Sequence, residues 1–221
     1  MLCSFLMRFV SIVCWGCPAC PEGNGVSTVR LLELPHIDEV DNGPALDSAL
    51  VKIGAFLAEK RLTGVFGVRK LHRHFLVDDD EVVLSILDAS EQIIRTSVVA
   101  LNQVGASQAC QWGFFPDGGS VVLGWSAEAK GTPEIEADLL CIGAFLSREG
   151  LTGILAVELV DCGLRTDPSI VFLEDTNEDA RTQWSRPVSV SEVDGYPAGW
   201  RFSVTGERID AWWCNADGRS H

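Results

Sequence analysis

Positive charge is scarce in this chain. It carries 17 Lys and Arg against 31 Asp and Glu, a formal net charge of −14. Nonspecific binding to nucleic acid needs Lys and Arg clustered against phosphates, and no such cluster is present. The densest basic stretch, RKLHR from Arg69 to Arg73, is soon followed by DDDE at Asp78 to Glu81. Several signatures are missing as well. There is no G-x-S-x-G elbow, no Walker loop and no dinucleotide fingerprint. No uninterrupted apolar run reaches the ~20 residues that a membrane span requires. The partners left open are a protein or a small molecule, with nucleic acid and membrane not expected.

The eight cysteines do not form a disulfide pattern. Cys110, Cys141, Cys162 and Cys214 are scattered, without the tight spacing of a small disulfide scaffold. A reducing, cytoplasmic setting is expected. Cys141 is expected on a buried helix face, acting as a small apolar residue.

Residues 1–25 read as a separate extension. MLCSFLMRFVSIVCWGC is apolar apart from Arg8, which sits inside the run rather than before it, unlike a secretory signal. A weak targeting segment remains a second reading. Cys14, Cys17 and Cys20 give C-x2-C-x2-C, but Asn24 stands where a ferredoxin-type run has its fourth cysteine. A closed zinc site would also lack a ligand there.

The body of the chain contains a repeated seed. Ile53 to Gly64 reads IGAFLAEKRLTG and Ile142 to Gly153 reads IGAFLSREGLTG. Trp112, Phe114 and Trp125 stand where Trp200, Phe202 and Trp213 stand later. The expectation is a tandem duplication of the α+β class, with repeats at 26–130 and 131–221. Each copy would be one helix packed on an antiparallel sheet of about four to five strands.

The first helix is expected from about Pro44 to Arg61, with an apolar stripe of Ala45, Leu46, Ala49, Leu50, Ile53, Phe56 and Leu57. The second is capped by Thr132, with Pro133 in its first turn and Gly150 closing it. Gly54 and Gly143 lie inside these helices, where glycine costs up to about 1 kcal/mol. Close approach of another backbone is the reason expected, with the two helices crossing there. Five strands follow each helix, and DGG at 117–119 marks a hairpin. The tryptophans suit core packing, although Trp112 and Trp200, with Arg73, are also candidates for a binding surface.

Leu71 to Phe75, LHRHF, is the distinctive stretch. On a strand, His72 and His74 would share a face, which suits one metal ion, zinc or non-haem iron. Arg73 would face away. Asp80 and Glu81 are the nearest carboxylates for a third ligand, and Glu81 is the candidate base. Cys214 and His221 are further possible ligands. The spacing to Glu81 is longer than in cupins, and a later cupin-type histidine is absent.

FGVRKLHRHFLVDDDEVVL, and IVFLEDTNEDARTQWSRPV from Ile170 to Val188, resemble stretches of an uncharacterised fungal and bacterial family with a Leu-His-x-His-Phe motif. The resemblance covers about a third of the chain and implies no activity. It implies that the histidine stretch is a unit of the fold.

Three functions follow from these residues. The first is an acidic binding protein using the groove between the repeats or the His72/His74 edge. The second is a metal-dependent enzyme. The third is a protein that sequesters a basic partner.

Overall fold

Among the described residues, ten strands close into one barrel, and two α-helices cover part of its outside. The computed structural model describes residues 34–36, 43–129, 135–160, 167 and 169–215. Helix α1 spans Pro44–Glu59 and helix α2 spans Ile135–Glu149. The strands after α1 are β1 (Phe66–Lys70), β2 (Glu81–Asp88), β3 (Ile93–Ala100), β4 (Gln108–Phe114) and β5 (Ser120–Ser126). Those after α2 are β6 (Leu155–Leu159), β7 (Ile170–Asn177), β8 (Thr182–Ser189), β9 (Gly195–Phe202) and β10 (Arg208–Asn215).

The order around the barrel is β1-β6-β4-β5-β2-β3-β8-β7-β10-β9, with β9 returning to β1. Strand β1 therefore lies between β6 and β9, and β6 lies between β1 and β4. A third junction pairs β3 with β8. This overturns the expected α+β arrangement of two helix-on-sheet copies. The repeated seed does not mark two structural units, because strands from both stretches interleave in one closed sheet. Two pairings, β2 with β5 and β7 with β10, are parallel. Local pattern finds the individual strands. It carries no signal for these long-range pairings, and closure removes the exposed edges that two open sheets would leave.

Both helices pack on one side of the barrel. Leu50, Ile53 and Leu57 of α1 and Ile142 and Leu146 of α2 are fully buried, in one cluster with Phe66, Val68, Val157 and Trp200. Each such aliphatic side chain contributes about 1.5–3 kcal/mol on burial. Strand β1 is buried throughout because both of its faces are covered. Phe66 and Val68 meet the helices, while Arg69 points into the barrel. The expected cap and first turn of α2, Thr132 and Pro133, lie outside the described residues, as do residues 1–33, Cys162 and His221. Gly150 closes α2 with φ +68°, whereas Cys141 is exposed rather than buried. Among the described residues, no helix is long and apolar enough to cross a membrane.

The helical glycines meet hairpin turns, not each other. A Cβ on Gly54 would lie 2.3 Å from the carbonyl oxygen of Gly206, in the β9–β10 turn. A Cβ on Gly143 would lie 2.1 Å from the carbonyl oxygen of Gly118, in the β4–β5 turn. Both turn glycines have positive φ, +85° and +88°. The helices touch elsewhere, through Phe56 stacked on Phe145 at 4.2 Å and Lys52 bonded to Glu149 at 3.1 Å. Gly143→Ala and Gly54→Ala should each destabilise the protein by about 1–3 kcal/mol or more, although alanine is the better helix former. Urea-denaturation midpoints measure this, with Ala55→Gly in the exposed face of α1 as the control that loses only helix propensity.

Candidate metal centre

The chain leaves β1 in an extended conformation, and this carries two imidazoles to the same place. His72 Nε2 and His74 Nε2 are 2.9 Å apart. Arg73, between them, donates from Nε to the Leu34 carbonyl at 2.9 Å. Two other strands complete the cluster. Glu174 on β7 and Cys214 on β10 are direct neighbours in the parallel register. Cys214 Sγ donates to Glu174 Oε2 at 3.4 Å and lies 3.9 Å from His72 Nε2. His74 Nε2 lies 3.6 Å from Glu174 Oε2. The ligand atoms of these four residues all fall within 4.8 Å of one another.

One hydrogen bond fixes the tautomer of His72. The Lys70 carbonyl can only accept, so His72 Nδ1, 2.8 Å away, carries the hydrogen and Nε2 keeps its lone pair. His74 Nδ1 is 3.0 Å from Thr176 Oγ1, and Gln183 Nε2 donates to His74 Nε2 at 3.0 Å. Two imidazole nitrogens therefore meet beside a carboxylate and a thiol. Their separation is favourable only with a proton or a metal ion between them. Burial, and then the neighbouring His74, holds the His72 pKa well below the usual value, so this ring is neutral and able to ligate near neutral pH.

Arg69 orders the carboxylates. Its guanidinium pairs with Glu174, lies 3.6 Å from Glu158, and stands 5.2 Å from the centre of the Trp212 ring. Burial pushes the Glu174 pKa up, but Arg69 and His74 outweigh it and hold the carboxyl well below the usual range. Burial raises the Cys214 thiol, and the Glu174 carboxylate raises it further. The thiol is therefore inert as a nucleophile, yet a bound metal ion would take it as thiolate.

Asp80 and Glu81 are not in the cluster. Glu81 opens β2, where Arg181 Nη2 donates to Glu81 Oε1 at 2.9 Å, and Asp80 is exposed in the preceding turn. Trp112 and Trp200 are packed in the core, 5% and 1% exposed, rather than on a surface. The residue that sequence reasoning missed is Glu174. Its signal was a carboxylate directly after the apolar IVFL of β7, although Asp175 beside it blurs that signal. Glu158 within LAVEL carries the same signal more clearly.

No protein-family model matches the chain, and neither a curated protein nor a solved structure does. The likeness to the Leu-His-x-His-Phe proteins rests on its residues alone.

Glu158 brings a pH dependence. Its carboxyl, ordinarily near 4.5, is pushed up to about 7 by burial, which Arg69 and Arg201 offset only in part. Between those values the folded state keeps a proton that the unfolded state has released. Its contribution to stability therefore falls as pH rises through that window. Glu158→Gln should remove this slope, a change of at most about 3 kcal/mol. Urea midpoints of the metal-free proteins at about pH 5 and about pH 8 report it.

Proposed function

We propose that this protein is a metal-binding barrel that holds one zinc-class divalent ion between His72, His74, Glu174 and Cys214. The convergence of two imidazole nitrogens on a buried carboxylate and thiol carries this reading. With metal–ligand bonds of roughly 2.0–2.3 Å, tetrahedral ligand atoms sit about 3.3–3.8 Å apart. Four of the six separations here are 2.9, 3.4, 3.6 and 3.9 Å, and all six are within 4.8 Å, distances that a bound ion would draw into that range.

The donor set favours zinc. Two imidazoles, a thiolate and a carboxylate suit a borderline-soft ion without a strong geometric preference. The surrounding bonds fit as well. His72 Nδ1 donates to a backbone carbonyl, His74 Nδ1 meets a hydroxyl, and Glu174 is fixed by Arg69. Such partners set ring orientation and basicity in metal sites. Neither Asp80 nor Glu81 is part of this reading. When bound, the ion would supply Lewis acidity at the wall of the cavity inside the barrel.

Metal content of the untagged full chain tests this. One equivalent of zinc is expected, lost in His72→Ala and in Glu174→Gln. It should be retained in Asp80→Asn/Glu81→Gln and when Cys14, Cys17 and Cys20 are all changed to serine. Zinc that disappears only with the N-terminal cysteines, or no metal in any folded variant, would sink the proposal. Thr176→Val, which removes only the hydroxyl at His74 Nδ1, should weaken zinc about 10–100-fold in a competition titration with a chromogenic chelator.

A further inference from the structure

The inner wall of the barrel carries a line of polar side chains besides the four proposed ligands. Strand register fixes which of them stand level. Ser126 on β5 pairs with Ser85 on β2, Ser85 with Thr96 on β3, and Thr96 with Gln183 on β8. Gln183 donates in turn to His74. All four face one cavity of about 140 Å³. The Ser85 and Thr96 hydroxyls are 2.9 Å apart. Two residues along these strands the wall becomes apolar, with Leu87 paired to Ile94 on one side and Val83 on the other. A polar belt thus runs between apolar rows and ends at the metal centre. A lumen that needed only to be filled would favour aliphatic side chains along the whole wall.

The charged groups named around the cavity each have a partner. Arg69 is paired with Glu174 and Glu158. Arg73 donates to the Leu34 carbonyl, Lys70 lies 5.8 Å from the centre of the Tyr196 ring, and Glu128 accepts from Ser126 Oγ at 3.1 Å. The belt itself is built from uncharged hydroxyl and amide groups, which suit an uncharged guest. His72, His74 and Glu174 line it, but Cys214 does not. An ion held by these residues would stand at the cavity wall.

We propose that the barrel cavity binds a small uncharged compound with oxygens on adjacent carbons, a 1,2-diol or hydroxyketone. Its hydroxyls bond along Ser126, Ser85, Thr96 and Gln183, its carbons rest on Leu87 and Ile94, and one oxygen meets the metal ion. Only that last contact rests on the metal-centre reading.

The probes are 1,2-propanediol, glycerol and dihydroxyacetone, with acetate and phosphate as charged comparisons. Binding is followed by saturation-transfer NMR and calorimetry on the zinc-loaded and metal-free full chain. At least one neutral probe should bind the zinc-loaded protein. Thr96→Val and Ser85→Ala should each weaken it at least tenfold without changing metal content. In cobalt-loaded protein the same probe should shift the visible absorption. No binding by any neutral probe, affinity unchanged in both variants, or preference for acetate or phosphate would overturn the belt assignment. If the protein takes up no metal, yet a neutral probe binds and Thr96→Val loses it, the belt stands and the metal contact falls.

Discussion

The pairing of Arg69 with Glu174 governs the inside of the barrel. One guanidinium there serves two carboxylates, Glu174 and Glu158, on strands at different places around the sheet. All three groups are far from bulk water. The balance is uneven by design of position: Glu174 is held ionised, whereas Glu158 is raised towards neutrality. Removing the cation would leave buried charge without compensation, typically a loss of about 3–5 kcal/mol. An aliphatic replacement of the whole group could match it in stability, but no carboxylate would then be fixed beside the two imidazoles. The ion pair is better understood as the support of a ligand than as a source of stability.

That support depends on closure of the sheet. Only β9 and β10 separate β1 from β7 in the closed sheet, and a barrel of ten strands is wide enough to leave a lumen into which Arg69 and Glu174 both project. Helices over β1, β6, β4 and β9 cover the outer side of the strand that carries Arg69, so its inward residues are buried by both packing layers. The Gly54–Gly206 and Gly143–Gly118 contacts let each helix sit directly on a hairpin turn. Backbone contact at these turns fixes helix height over the barrel, and through Phe66 and Val68 it fixes the strand leading to His72.

How much of this could be read from the sequence follows from the range of each interaction. Leu46 to Leu57 and Leu139 to Leu146 show helical periodicity over neighbouring residues, and the structure buries the same stripes. His72 and His74 were legible because two residues of extended chain suffice to bring them together. Glu174 was not, because its approach to His74 depends on barrel closure across about a hundred residues. The repeated IGAFL seed misled for the same reason: it reports local helix design and says nothing of β1 pairing with β6 and β9. Charged residues in apolar strands, such as Glu158 and Glu174, were the usable trace of an interior that is not a simple core.

The cluster also bears on folding. Its ligands come from the exit of β1, from β7 and from β10, and they converge only when β10 lies beside β7 and both face the end of β1. The unfolded chain offers no such set within one short segment. An ion that binds these residues therefore binds the closed barrel and not its precursors, and it stabilises the closed state by mass action. Without an ion, the same closure brings two imidazoles and a carboxylate together at a cost, which Arg69 and a shared proton reduce. The interior is thus a costly packing arrangement. The apolar stabilisation needed to hold it shut comes from the opposite face of β1 and β6, beneath the two helices.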